Sequence, residues 1–591
     1  MKRTEVPQKY RWDLTALVKD DAAFEAGMKE VLGMLPEFDK YKGKLGNGKL
    51  ALECLKLDSK VNQKAGILYV YAHMRSHEDL SESKAVGYAN RTETLVGKIM
   101  TATSFINSEL GALDDKILDG YIADPAFVDF DFALKETKRQ KAHILSDKEE
   151  RILAMASEAL SATDNVASML MNVDLKFKPV EKDGKLCELT NESYGELLAD
   201  ENRAVRKAAF ENLYDGYRAH INTLAANYAG NVKSDNFGAQ VRGYGDCLER
   251  GMFADGVPTA VYENLISAVD KNLAPLHRYI ELRKKVLGVD KIHMYDLYVP
   301  IVENAQMKLK YEEACELVKT ALAPMGEEYV ALLNRAMTEG WIDVMPNDGK
   351  RGGAYSWGTY GAHPYVLLNY APTTNDIFTV AHELGHCLHS YYSQEGQPCE
   401  KADYRIFVAE VASICNETLL EHYLMNNVKD DNIKKYLLSY RLDRFRTTLF
   451  RQTMFAEFEY LAHKTDLDGK PLTVEALNGL YLDLNKKYYG EEVSDDLIAY
   501  EWSRIPHFYN AFYVYKYATG LTAATSIARN ILTRQGYVDV YKNKFLKAGG
   551  HKSPYDILCD TEVDLATDKP YDDAFALFNE SLVELEKLFG K

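Results

Sequence analysis

Between Asp20 and about Leu113, apolar residues recur at helical spacing with few glycines and no sustained alternation of period two, so this stretch is predicted to be helical. The pattern weakens from Asn107 and Ser108 to Asp115. A second helical block opens at Ser146-Asp147-Lys148-Glu149, a capping-box sequence that leads into Ile152-Leu153-Ala154. Leu175 to Val180, the turn pair Asp183-Gly184 and Lys185 to Leu189 predict a hairpin, with Pro179 assigning the first strand to an edge. From Asn202 helical periodicity returns almost without interruption, punctuated at Val257-Pro258, Val299-Pro300 and Met345-Pro346. No internal repeat or low-complexity linker divides the chain. The pattern describes a mainly α protein with a few strands.

Those strands crowd around one helix. Gly352-Gly353-Ala354-Tyr355 is a loop signal, and Pro364-Tyr365-Val366-Leu367-Leu368-Asn369-Tyr370 has strand content. Such a strand either packs in the core or offers its edge to an extended peptide. Ala371-Pro372-Thr373-Thr374-Asn375-Asp376 then supplies turn and N-cap residues for a helix through Thr379-Val380-Ala381-His382-Glu383-Leu384-Gly385-His386. On that helix a four-residue step is about 400°, so His382 and His386 share one face about 6 Å apart and can hold one small cation. Imidazole nitrogen suits zinc. Glu383 lies about 100° further round, where its carboxylate can reach a water on the metal without ligating it. A bare HExxH also describes a surface helix with two ordinary histidines. Here Val380, Ala381, Leu384, Gly385, Cys387 and Leu388 make the helix apolar on most sides, so it is read as buried, and a buried His-Glu-His cluster needs a partner.

A third ligand has to come from elsewhere. His389 shares the face but lies about five residues, roughly 7 Å, beyond the centre of the His382–His386 turn. The following helical stretch, Phe407-Val408-Ala409-Glu410-Val411-Ala412-Ser413, offers Glu410, with Glu417 seven residues on. Small residues at Ala409, Ala412 and Ser413 would let that helix come close. Glu410 is the expected ligand and Glu417 a supporting carboxylate.

Composition narrows the setting. The 591-residue chain carries a net charge of −17, which argues against general affinity for nucleic acid or anionic membrane. Met1-Lys2-Arg3-Thr4-Glu5 is not followed by an apolar segment, and no run is long enough to span a bilayer, so a soluble, cytoplasmic protein is expected. The eight cysteines form no CxxC pair and are read as reduced thiols. Far downstream, Trp502 to Tyr517 places Tyr509, Tyr513 and Tyr517 on one predicted helical stripe beside Phe508, Phe512 and Tyr515. Aromatic core packing accounts for such a run in a chain with 40 tyrosines, but His507 and one or two of the tyrosines could also donate to an oxyanion.

The HELGH motif, FVAEVAS, PYVLLNY and PHFYNAFYVYKYATG together resemble oligoendopeptidase F of the thimet oligopeptidase family. Tyr10-Arg11-Trp12-Asp13-Leu14 and Arg242-Gly243-Tyr244 through Val257-Pro258 extend the resemblance over the whole chain. It implies two helical lobes enclosing a deep substrate channel, with one zinc ion on its floor and a small β-sheet next to the zinc site. It also implies three regions: an N-terminal helical region at 1–113, an oligoendopeptidase F N-terminal-type domain at 114–190, and a catalytic domain at 191–591. Carried over by position, His382, His386 and Glu410 would ligate zinc and Glu383 would be the general base. His507, Tyr509 and Tyr513 would face the scissile carbonyl, with Tyr515 and Tyr517 as alternates. The expected reaction is hydrolysis of internal bonds in short unfolded peptides. The alternatives are an exopeptidase of carboxypeptidase type and a catalytically weak peptide-binding protein. Oligopeptides are the expected partners, and the oligomeric state is left open between monomer and homodimer.

Overall fold

The computed structural model describes residues 1–302 and 307–590. The chain divides into two compact units. One comprises Met1–Ala142, Gln306–Asn426 and Ile527–Val563, and the other His143–Ala305, Asn427–Ser526 and Asp564–Lys591. Both are mainly helical, as the periodicity predicts.

In the first unit the helices Asp21–Met34, Gly48–Glu78 and Ser83–Thr103 bury one face each. Phe24, Val31, Cys54, Val61, Ala72 and Met74 are closed off from solvent in this core. The core runs on into a three-stranded sheet through Tyr365 and Leu367. Strand Tyr365–Leu367 lies in the middle, parallel to Ile342–Asp343 and antiparallel to Tyr355–Trp357. All three of its residues are buried. The predicted 364–370 strand is therefore shorter and has neighbours on both sides, which leaves it no edge for a peptide. Beyond Leu367 the backbone stays tied to the first strand, with the Leu368 N–H donating to Asp343 O at 2.8 Å and the Tyr370 N–H to Val344 O at 3.0 Å. The Asp343 carboxylate, fully buried, takes Arg3 Nη1 at 2.8 Å and Lys350 Nζ at 2.7 Å, an ion cluster that fixes the chain terminus and the sheet together.

In the second unit the predicted hairpin is present but short, Val180–Lys182 against Lys185–Cys187. Its two-residue turn places both Asp183 (φ 53°) and Gly184 (φ 72°) in the left-handed region, the geometry that matches the twist of the flanking strands. Pro179 has no N–H to donate, and the ladder begins after it. The capping box at Ser146 forms, with Glu149 accepting from the Ser146 N–H at 3.0 Å. None of the eight cysteines is in a disulfide. Among the described residues no helix is long and apolar enough to cross a membrane.

Candidate metal centre

Helix Thr374–Gly396 starts where its sequence says it should. The Thr373 hydroxyl accepts from the Asp376 N–H at 3.2 Å, and the Asp376 carboxylate reaches back to the Ala371 N–H at 3.1 Å. The sheet packs against this helix, and Cys387 Sγ lies 4.0 Å from the Pro364 carbonyl. Helix Ile406–Asn427 crosses it at Gly385. A Cβ on Gly385 would stand 2.6 Å from Ser413 Cα and 2.8 Å from the Ala412 carbonyl oxygen. The expected close approach is thus made by a glycine on one helix facing small residues on the other.

The crossing brings His382, His386 and Glu410 together, with one potential ligand atom of each within 4.8 Å of the others. Nε2 of His382 and Nε2 of His386 are 3.2 Å apart, and Glu410 Oε2 lies 3.3 Å from the first and 3.4 Å from the second. Tetrahedral zinc with bonds of about 2.0–2.1 Å needs ligand atoms separated by about 3.3 Å. Two imidazole nitrogens and one carboxylate oxygen at that spacing fit zinc without rearrangement. The Glu410 side chain is 45 % exposed, so the cluster is open on one side for a fourth ligand.

The surroundings hold these side chains in place. Glu417 Oε1 lies 2.5 Å from His382 Nδ1, which holds the ring with Nε2 facing Glu410 and His386. The Ser413 hydroxyl shares its proton between Glu410 Oε2 at 3.0 Å and the Glu410 carbonyl at 2.9 Å. Asn416, buried, donates from Nδ2 to the Ala381 carbonyl at 3.1 Å and accepts from the Tyr329 hydroxyl at 2.9 Å, tying the two helices one turn from the cluster.

Charge states reflect the same geometry. Burial alone would lower the pKa of His382, but hydrogen bonds from Glu410 and Glu417 outweigh it and raise it to about 10. Burial likewise acts to raise the Glu410 carboxyl, and contact with the two imidazoles holds it well below the usual range instead. Glu383, 7 % exposed, is pushed up chiefly by burial. His389 is not part of the site. It is buried, stacked on Tyr404 at 3.8 Å and on Phe545 at 4.9 Å, and burial drops its pKa to about 3.

In the second unit the aromatic run is not one helix. Pro506–Tyr509 is a 3-10 turn, the helix begins only at Tyr515, and Phe512 between them has φ 58°. The Phe512 N–H donates to the buried Glu459 carboxylate at 2.9 Å, which holds the left-handed kink. The kink regroups the candidates. His507 Nε2 lies 3.3 Å from the Tyr517 hydroxyl, and the Tyr513 ring packs 6.0 Å from His507 and 5.6 Å from Tyr517. Tyr509 turns to another neighbour, its hydroxyl accepting from Asn227 Nδ2 at 3.2 Å. Tyr515 is buried with its hydroxyl on Asp255 at 2.7 Å.

An HExxH helix crossed at a glycine by a second helix that contributes a glutamate defines a zinc metallopeptidase. Comparison with known proteins narrows this. A model of Peptidase family M3 matches residues 196–577, and a model described as Oligopeptidase F matches residues 109–177. Oligopeptidase PepF of Bacillus subtilis is 42 % identical over all of this chain and 88 % of its own length. The crystal structure of oligoendopeptidase-F from Enterococcus faecium is similar at TM-score 0.73 and 34 % identity, covering 96 % of this chain and 99 % of that one. A crystal structure from Chlamydophila abortus is similar at TM-score 0.96 and 33 % identity over 99 % of both chains. The chain belongs to peptidase family M3, as a zinc oligoendopeptidase of the oligopeptidase F type.

Proposed function

We propose that the protein hydrolyses internal bonds of short, unfolded peptides at a single zinc ion held by His382, His386 and Glu410. The observation that carries this reading is the triangle of 3.2, 3.3 and 3.4 Å formed by their ligand atoms. Zinc, when bound, supplies a Lewis acid that brings the pKa of a water toward about 7. Glu383 takes the proton of the attacking water and returns it to the leaving amine. Its burial supports that role, because desolvation acts to raise the carboxyl pKa and so makes the carboxylate a stronger base. Glu417 keeps the His382 ring oriented. His507 and Tyr513, with Tyr517 beside them, offer ring N–H and phenol donors to a carbonyl oxygen gaining negative charge. Tyr509, engaged with Asn227, is the weaker member of the assigned set. The family matches at 109–177 and 196–577 support reading 1–113 as an N-terminal helical region, 114–190 as an oligoendopeptidase F N-terminal-type domain and 191–591 as the catalytic domain. The expected setting is the cytoplasm and the expected partners are oligopeptides.

An internally quenched peptide blocked at both ends tests the reaction. Cleavage should appear with zinc, vanish on chelation and return when zinc is restored. Cleavage confined to peptides with free ends would replace this reading with an exopeptidase. Glu383→Gln should keep zinc and lose nearly all turnover, and a metal-replete variant that still turns over would reject Glu383 as the base.

A further inference from the structure

The second unit contains a cavity of about 200 Å³ that the peptidase reading does not use. Two guanidiniums, Arg451 and Arg504, line it together with Tyr194, Tyr214 and Tyr298. They share one buried carboxylate. Arg451 Nη2 donates to Glu501 Oε1 at 2.5 Å, Arg504 Nη1 reaches the same oxygen only at 3.5 Å, and the Tyr481 hydroxyl occupies Oε2 at 2.6 Å. Glu501 is 4 % exposed, and each of its oxygens already has one close partner. Arg504 Nε is buried with no acceptor among the described residues, and the guanidinium lies 5.0 Å over the Tyr194 ring. The other carboxylate on the cavity wall, Glu192, is exposed.

The imbalance continues behind the wall. Arg446 packs 4.8 Å over the Tyr298 ring, and it shares Asp443 with the buried Arg283, at 3.0 Å and 3.2 Å. Four guanidiniums thus meet three carboxylates, Glu501, Asp443 and the exposed Glu192, across this part of the unit. Leu198, Phe210, Met294 and Ile498 give the cavity an apolar side, which strengthens the electrostatic interactions of the arginines there. A guanidinium whose one ion pair is long and whose Nε is unpaired gains from a further acceptor, and a guanidinium fork beside phenol groups matches a chloride or a carboxylate.

We propose that this cavity binds one small monovalent anion, halide or carboxylate, between Arg451 and Arg504. The site lies within one unit and its occupancy is independent of zinc and of peptide hydrolysis, so binding rather than activity tests it.

The full-length, zinc-loaded protein is dialysed into the sodium salt of HEPES, whose anion is a bulky sulfonate. Chloride, bromide or acetate is then exchanged for HEPES at constant ionic strength, while the unfolding midpoint and chloride-35 line broadening are followed. The expected result is a saturable rise of about 2 °C in the midpoint, with excess broadening that acetate displaces. Arg504→Gln should abolish both signals, and Arg504→Lys, which keeps the charge but loses the fork, should weaken binding several-fold. If Arg504→Gln does not fold, Arg504→Lys decides. Binding unchanged in Arg504→Lys, identical responses in native protein and variants, or no saturable response of the native protein to any of the three anions would overturn the proposal.

Discussion

Replacing Gly385 by alanine sets two opposing effects against each other at the helix crossing. In an isolated helix the change should stabilise by about 1 kcal/mol, because glycine has more conformational freedom to lose. At this crossing the new methyl group would meet Ser413 Cα at 2.6 Å, the Ala412 carbonyl oxygen at 2.8 Å and Ser413 N at 2.9 Å. All three are backbone atoms of the partner helix and cannot rotate away. Ordinary contact needs the helices to separate by about 0.7 Å, and overpacking of that kind costs about 1–3 kcal/mol, at the upper end where backbone must move. Packing outweighs propensity, and the metal-free protein should lose about 2 kcal/mol.

The metal should register the change more strongly than the fold does. Glu410 lies one turn before Ser413, so separation lengthens the 3.3 and 3.4 Å edges of the ligand triangle. Zinc sites tolerate about 0.2 Å in ligand position, and a larger shift of one ligand should weaken binding by about 10–100-fold. Competition against a chromophoric chelator measures the affinity, and denaturant unfolding of chelated protein measures the fold. Gly27→Ala is the control, since there only the flexible tip of Leu68 intrudes, at 2.9 Å. That variant should gain stability and bind zinc normally. A Gly385→Ala protein with native zinc affinity and native or higher stability would refute the reasoning.

Three other outcomes follow from the same site and its sheet. Glu410→Ala should nearly abolish zinc binding, whereas Glu417→Ala should reduce affinity about 10–100-fold; equal losses by chelator competition would leave the third ligand unassigned. Ser413→Ala removes a hydrogen bond to a charged oxygen without adding volume, so affinity should fall about tenfold while the metal-free stability barely moves. His77, hydrogen-bonded through Nδ1 to Tyr355 at 2.7 Å and through Nε2 to Arg351 at 2.8 Å, has its pKa lowered to about 4 by burial and then by the Arg351 charge. A depressed histidine pKa contributes stability present above the unfolded value near 6.5 and lost as pH falls toward 4, with a slope of at most about 1.4 kcal/mol per unit. Denaturant midpoints of chelated protein from pH 7 to 4 should therefore fall less steeply in His77→Asn, and parallel curves would count against the burial argument.

The helical architecture and the metal helix were legible because their signals are local. Periodicity, the Thr373–Asp376 cap and the His382–His386 spacing all sit within a few turns of the features they specify. Glu410 and Glu417 could be singled out because two turns separate them on one face, and the structure puts the first at the ring Nε2 atoms and the second at His382 Nδ1. The sheet was harder to read, since Ile342–Asp343 and Tyr355–Trp357 are too short to show a period. Its Arg3–Asp343 contact joins residues 340 positions apart. The aromatic run misled because a non-glycine residue, Phe512, takes a left-handed conformation stabilised by Glu459, 53 residues away, and no local pattern announces it.

One face of helix Ile406–Asn427 carries most of what turns an HExxH sequence into a metal site. Glu410 stands at the Nε2 atoms of His382 and His386, the Ser413 hydroxyl lies 3.0 Å from its carboxylate, Asn416 holds the Ala381 carbonyl of the histidine helix, and Glu417 meets His382 Nδ1. These positions recur at helical spacing and point at the turn that contains His382 and His386. Packing and ligation are therefore not separable by position, because the residues that bring the helices together also aim the donors. They are separable by measurement. A change that perturbs only donor orientation should alter zinc affinity at constant metal-free stability, as Ser413→Ala is expected to do, while a change that perturbs helix spacing alters both. Gly385 makes the spacing possible, and its place inside the motif, between Leu384 and His386, gives that position a packing role that the ligand pattern leaves unspecified.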